Sequence, residues 1–389
     1  MRVFVTGATG VIGKRAVPLL VAAGHAVTAV GRTPEKRAAL ERVGATAVAV
    51  DLFDPAAVRS AVAGHDVICN LATHIPSSSR MLLPWAWREN DRVRRLVSAH
   101  LVEAALAGGV QRFIQESFGL IYPDRGEAWI DESVRLEPAR YNRSVLDAER
   151  AAAHFTEGGR TGIVLRFAGF YGPDSPILLD MIKFLRKGWL MLPGPADAYC
   201  SSVSHDDAAT AVVAALGARP GVYNVVDDEP VRHREYADAF AAALGVKPPK
   251  LPPAWMTHLS GSLGETLARS LRISNRKLRD ECGWAPKFAS VRGFGRAFRG
   301  RPECSTPRAA TIRSLARSRV PAAPREVPPY SISRSRIASG TSWRNSGCCS
   351  RSRAMSARSF CRLLARRLGS LAAQTLPRIT SPSLATGSR

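Results

Sequence analysis

The octapeptide TGATGVIG, Thr6 to Gly13, places glycines at positions 7, 10 and 13. That spacing suits a nucleotide pyrophosphate. The first glycine permits a tight turn, the second lets backbone approach the phosphates, and the third lets a helix pack on a strand. The phosphates then lie at the positive helix N-terminus. Ordinary glycine-rich turns share the spacing, but here an apolar run (RVFV) precedes it and a helical pattern follows. A phosphate loop of the GxxxxGK[ST] type is excluded, because Ala8 fills its first glycine slot and Arg15 its Ser/Thr slot. Thr6, Gly7, Thr9, Gly10, Val11, Ile12 and Gly13 are therefore expected to line a dinucleotide. The next polar signal is VGRTPEK, where Arg32 and Thr33 follow a second apolar run and no acid comes before Glu35. An acid there would bond a ribose 2′-hydroxyl and repel a 2′-phosphate; an arginine can clamp that phosphate. NADP(H) is the favoured cofactor, with NAD the alternative and a solvated strand-end arginine the plain reading of Arg32.

The elements that must hold these residues alternate. RVFVTG, HAVTAVGR, ATAVAVD, HDVICNLA and QRFIQES are short β-branched runs, separated by helical patterns such as PEKRAALERVG and PAAVRSAVAG. Alternation of this kind predicts βαβ units, a buried parallel sheet and a doubly wound α/β fold of Rossmann type. After Thr161 the rhythm loosens: a strand TGIVLRF, a helix from Pro176, AYCSSVSH, a helix from Asp206, a strand VYNVV and a helix from Arg234. The expected organisation is a nucleotide-binding domain over 1–299, with a smaller substrate lobe mainly from 161–299, and a tail over 300–389.

The formal net charge of +23 invites a nucleic-acid reading until it is located. Residues 301–389 hold 17 arginines, no lysine and two acids, so most of the excess sits in the tail. Its Ser/Arg/Pro bias buries too little apolar surface to offset chain entropy and predicts disorder. It reads as a non-functional extension, of the kind a GC-rich gene gives out of frame, rather than a nucleic-acid arm. No apolar run approaches the ~18–20 residues of a membrane span. With no export signal at the N-terminus and seven cysteines lacking metal-ligand or CxxC spacing, a reducing cytoplasm and no metal are expected.

These motifs together resemble the extended short-chain dehydrogenase/reductase family, in its epimerase/dehydratase branch. The resemblance covers about residues 1–295. Besides TGATGVIG it rests on Asp51-Leu52 after the third strand and Asn70-Leu71-Ala72 after the fourth. Ser117, Tyr141, LRFAGFYGPDS, VSHDDAATAVVAAL and NRKLRDECGWAPKF complete it in order. It implies that Asp51, Leu52, Leu71 and Ala72 contact the cofactor. It also implies that Ser117 bonds the substrate oxygen while Tyr141, opening a helix, exchanges a proton with it. The family's lysine slot, four residues after that tyrosine, holds Val145; no lysine lies between Lys36 and Lys183. The family's serine lies four residues before a later tyrosine, but Ser117 lies five before Tyr122, and its asparagine slot falls on Arg94.

The expected activity is NAD(P)-dependent hydride transfer on a small hydroxy or keto compound or sugar derivative, by an oxidoreductase or epimerase. A non-catalytic cofactor-binding sensor is the alternative that Val145 favours. The resemblance also allows a homodimer. In the loop THIPSSSRMLLPWAWREND, His74 could donate a proton, Arg80 and Arg88 could meet a phosphate, and Trp85 and Trp87 should pack beneath the loop. His205 and Asp206 are expected to cap a helix.

Overall fold

The computed structural model describes residues 1–172, 176–190, 192–253, 257 and 260–293. The chain divides into two compact units, Met1–Ser318 and Arg319–Arg389; the second, and the expected tail over 300–389, lie outside the described residues.

Seven strands form one parallel sheet: β1 (Arg2–Thr6), β2 (Ala26–Val30), β3 (Thr46–Val48), β4 (Val67–Asn70), β5 (Arg112–Phe118), β6 (Thr161–Phe167) and β7 (Gly221–Val225). Their order is β7-β6-β5-β4-β1-β2-β3, with the direction of winding changing between β1 and β4. That order is the doubly wound architecture the alternation predicts. Successive side chains serve opposite faces: Val3 and Val5 join a core containing Ala16, Val17 and Leu20 of α1 (Gly13–Ala22), while Phe4 joins Val58, Leu101 and Phe155 on the other side. Burial on both faces is why these strands read as near-continuous apolar runs.

The second face is covered by α3 (Pro55–Val62), α4 and α5 (Val145–Glu157). Helix α4 runs in three stretches: Arg88–Arg92, a π turn at Val93–Val97, and Ser98–Ala107. α2 (Pro34–Glu41) follows β2, and Thr33 caps it by accepting from the Lys36 amide.

Residues after 161 serve two structures. β6 and β7 extend the main sheet, and α7 (His205–Ala214) packs on α1 through the Arg15–Asp206 ion pair at 2.6 Å. Trp284 of the GWAP segment donates to Thr210 of that helix at 3.0 Å. A separate core joins Tyr171 and Leu178, Ile182 and Leu185 of α6 (Pro176–Leu185) to Tyr236 and Phe240 of α8 (His233–Leu244). α9 (Gly261–Ala268) stands beyond it in sequence. The expected cap on α7 is corrected: Ser204, not His205 or Asp206, accepts from the Asp207 amide at 2.9 Å. Asp206, one residue inside the helix, is left to meet Arg15.

Candidate active site

The cradle formed by Gly7, Gly10 and Gly13 has the shape the spacing predicts. Gly7 turns the chain at φ +63, and a Cβ there would stand 2.1 Å from the Leu71 carbonyl oxygen. A Cβ on Gly13 would lie 2.3 Å from the Gly7 oxygen, so helix and turn are in contact. Gly10 is different: it is exposed, and a Cβ there would meet only the Gly7 oxygen, at 3.1 Å. Two glycines thus close the turn and one leaves backbone open at the N-terminus of α1. The Gly10 amide itself donates to the Gly7 oxygen at 2.9 Å, and the backbone left open ahead of α1 suits the phosphates of a dinucleotide at a helix N-terminus.

Leu71 and Ala72 form the opposite wall through Asn70, which is buried. Its Oδ1 accepts from Thr6 at 2.6 Å, and its amide nitrogen donates to Gln115 at 2.9 Å and Ser98 at 3.2 Å. Asn70 therefore ties β1, β4, β5 and α4 at the strand ends where the cofactor loop begins. Arg32 is exposed beyond β2, with Arg37 reaching back to the Gly31 oxygen at 3.2 Å. Arg37 was not singled out by sequence; its place one turn into α2, six residues after Gly31, was the available signal. Asp51 is exposed and accepts from the Phe53 amide at 2.9 Å, an Asx turn that presents Leu52.

Of the two hydroxyls expected to act on substrate, that of Ser117 is committed to a partner within the protein. Ser117, fully buried at the end of β5, donates to Glu149 Oε1 at 2.5 Å. Glu149 is clasped by Arg166 of β6, whose Nε and Nη2 donate at 2.8 and 2.7 Å. Arg166 Nη1 donates to the Tyr122 hydroxyl, which donates to Asn224 Oδ1, both at 2.8 Å. Burial pushes the Tyr122 phenol up to about 12 against the pull of Arg166. Sequence reasoning missed this network, although Glu149 lies one helical turn after Val145 and Arg166 lies within the LRF motif.

Tyr141 lies against the buried Trp87, ring centroids 4.8 Å apart in an edge-to-face pair. Burial raises its phenol to about 12, opposed by hydrogen-bond contact with Thr266 of α9, then by the charge of Arg94. The helix expected to open at Tyr141 begins at Val145. Residues 141–144 form consecutive turns instead, in which the Val145 and Leu146 amides donate to the oxygens of Asn142 and Arg143, three residues back. Tyr141 and Val145 are thus not stacked on one helical face as the four-residue spacing implies. Val145 is fully buried and brings no charge.

The loop after β4 packs as expected at Trp87, whose indole donates to the Met81 oxygen at 2.8 Å, but leaves Trp85 exposed. His74, Arg80 and Arg88 are exposed, and the His74 amide donates to Asn90 Oδ1 at 2.8 Å. Among the described residues, no cluster of three His, Cys, Asp or Glu could hold a metal, and no helix is long and apolar enough to cross a membrane.

Comparison with known proteins agrees with this geometry. Residues 7–171 match a family model described as NAD(P)H-binding. A 3-diazoavenalumate denitrifying reductase of a Streptomyces species is 34% identical, covering 76% of this chain and all of the relative. A 2-alkyl-3-oxoalkanoate reductase of Shewanella oneidensis is 27% identical over 69% of this chain and 73% of its own. The crystal structure of a Thermus thermophilus UDP-glucose 4-epimerase in complex with NAD superposes with a TM-score of 0.62 at 26% identity, covering 78% of this chain and 100% of that one. A nicotinamide dinucleotide is the cofactor such a cradle serves. With a reductase matched along its whole length and the motifs in register, the chain belongs to the extended short-chain dehydrogenase/reductase family of NAD(P)-dependent oxidoreductases.

Proposed function

We propose that this protein is an NADP(H)-dependent reductase of a small electrophilic compound, working in the direction of hydride addition. The observation that carries this reading is the state of Tyr141. Packed against Trp87, and with Val145 in the sequence slot where the family has a lysine, its phenol is held up to about 12 and stays protonated at neutral pH. A protonated phenol is an acid. It can give a proton to an oxygen gaining charge, but it is poorly placed to take one from an alcohol, which oxidation and epimerisation through a keto intermediate both require.

The cofactor, when bound, supplies the hydride. The chain's part is to hold its phosphates at Gly10 and α1, to meet a 2′-phosphate at Arg32, and to offer the Tyr141 proton. Ser117 is assigned to positioning rather than to the substrate oxygen, because its own proton is directed at Glu149. The substrate class is a small carbonyl compound, as in the name of the Shewanella relative, and a diazo compound is the acceptor named for the Streptomyces one.

The test follows NADPH oxidation against a panel of aliphatic and aromatic oxo compounds and one aryl diazo compound. The reading expects turnover of one class, lowered about 10²–10⁴-fold by Tyr141→Phe for an oxo substrate. A second reading, cofactor binding without turnover, is favoured by the engagement of Ser117 with Glu149. Tight NADPH binding with no oxidation of any panel member would decide for it.

A further inference from the structure

Two arginine–carboxylate pairs are buried beside the strand ends of β5, and they differ in kind. Arg166–Glu149 is closed: two donor contacts at 2.7 and 2.8 Å, with the remaining Nη1 on Tyr122. Arg94–Glu116 is open. The nearest approach is 4.0 Å, from Nη2 to Oε1, with both side chains less than a tenth exposed. Arg94 Nε and Glu116 Oε2 are buried without a hydrogen-bond partner among the described residues. A buried guanidinium with an unsatisfied N–H is costly unless its charge serves another group.

The backbone accounts for its position. Arg94 lies in the π turn Val93–Val97, which widens the helix and shifts the facing of its side chains; such turns recur at functional sites. The residues just before it reach the Tyr141 segment: Trp87 packs on the Tyr141 ring, and Asp91 accepts from Ser144 Oγ at 2.7 Å. Asn90, one turn before Arg94, and Asn142, next to Tyr141, each carry a buried polar atom without a partner among the described residues, Nδ2 and Oδ1. The region around Tyr141 is thus polar, buried and only partly satisfied.

We propose that the cation supporting Tyr141 comes from Arg94 in the π turn of α4, in exchange for the charge that Val145 cannot supply, with Glu116 as its counter-ion. Arg94 acts through Tyr141 and is a positioning residue. When the Tyr141 O–H bond breaks and its proton goes to the reduced substrate's oxygen, the buried positive charge of Arg94 offsets the charge left on the phenolate; a proton from water restores the phenol. The charges of Arg94 and, after it, Arg269 ease the ionisation of the phenol against its burial. Burial raises the Glu116 carboxyl, with Arg94 opposing that rise. The proposal rests on the role given to Tyr141 above.

The primary readout needs neither cofactor nor substrate: Tyr141 ionisation by ultraviolet absorbance of the full chain, as the difference from Tyr141→Phe. Arg94→Met should raise the Tyr141 ionisation by about one pH unit, a tenfold change in equilibrium. Arg94→Lys should restore most of it. Glu116→Gln should move it the opposite way, since the counter-ion no longer competes for the guanidinium. A purely structural pair would lower melting temperature in both variants without shifts of opposite sign, and that result overturns the proposal. If Arg94→Met does not fold, Glu116→Gln still gives the sign, and an unmoved ionisation in that variant overturns the proposal. Where the parent turns over a panel compound, Tyr141→Phe without effect defeats the reductase reading. Loss in Tyr141→Phe with Arg94→Met unaffected defeats only the assignment of Arg94.

Discussion

Ser117 of β5 and Glu149 of α5, thirty-two residues apart in sequence, are joined by a 2.5 Å hydrogen bond in which the serine donates. The bond closes against Arg166, so the serine belongs to a buried charged network. A hydrogen bond to a charged group contributes about 1.5–3 kcal/mol, whereas removing one partner of a buried ion pair costs about 3–5 kcal/mol. Glu149→Ala is therefore expected to destabilise more than Ser117→Ala, because Arg166 is then left charged and unpaired. Urea midpoints of the two variants check the order, and equal losses would contradict it.

The glycines of the cradle should separate by mechanism. Gly13→Ala places a methyl 2.3 Å from the Gly7 oxygen and 2.6 Å from the Ala8 Cα, and should lower melting temperature along with cofactor affinity. Gly10→Ala meets only the Gly7 oxygen at 3.1 Å. It should keep its stability while losing NADPH affinity, measured by fluorescence titration and differential scanning fluorimetry.

Cofactor choice should follow Arg32, exposed at the end of β2. NADPH is expected to bind several-fold more tightly than NADH, and Arg32→Asp to reverse the order by repelling a 2′-phosphate. Equal affinities of the parent protein for both cofactors would contradict this.

Acid should weaken the fold through His233, buried at the start of α8, where burial lowers its ring to about 4. The unfolded chain takes up this proton near pH 6.5 and the folded chain only near 4, so stability falls as pH drops through that window. The difference corresponds to roughly 3 kcal/mol at most. Asp227 works in the other direction, its carboxyl raised by burial, so the parent profile must be read against a variant. His233→Gln should flatten the difference in urea midpoint between neutral pH and about 4.

What sequence determined by itself is the part of the molecule made by short-range rules. Two-sided burial writes each central strand as an apolar run, and the seven found include all those read from RVFVTG to VYNVV. The turn at Gly7 needs a positive φ and the contact at Gly13 excludes a Cβ, so the cofactor cradle is legible from residue types alone. What only the tertiary structure decided depends on partners far along the chain. Spacing placed Tyr141 on a helix, but Trp87 and Thr266 hold it in turns ahead of one that begins at Val145. The family resemblance implied a substrate contact for Ser117; the competitor for its hydroxyl, Glu149, arrives through the packing of α5 on β5 and β6. The inward turn of Arg94 depends on a π turn, a one-residue change of helical register that apolar periodicity does not record. Local preference sets backbone shape within a few residues, whereas the charge and hydrogen bonding of a buried side chain depend on whichever elements the fold packs against it.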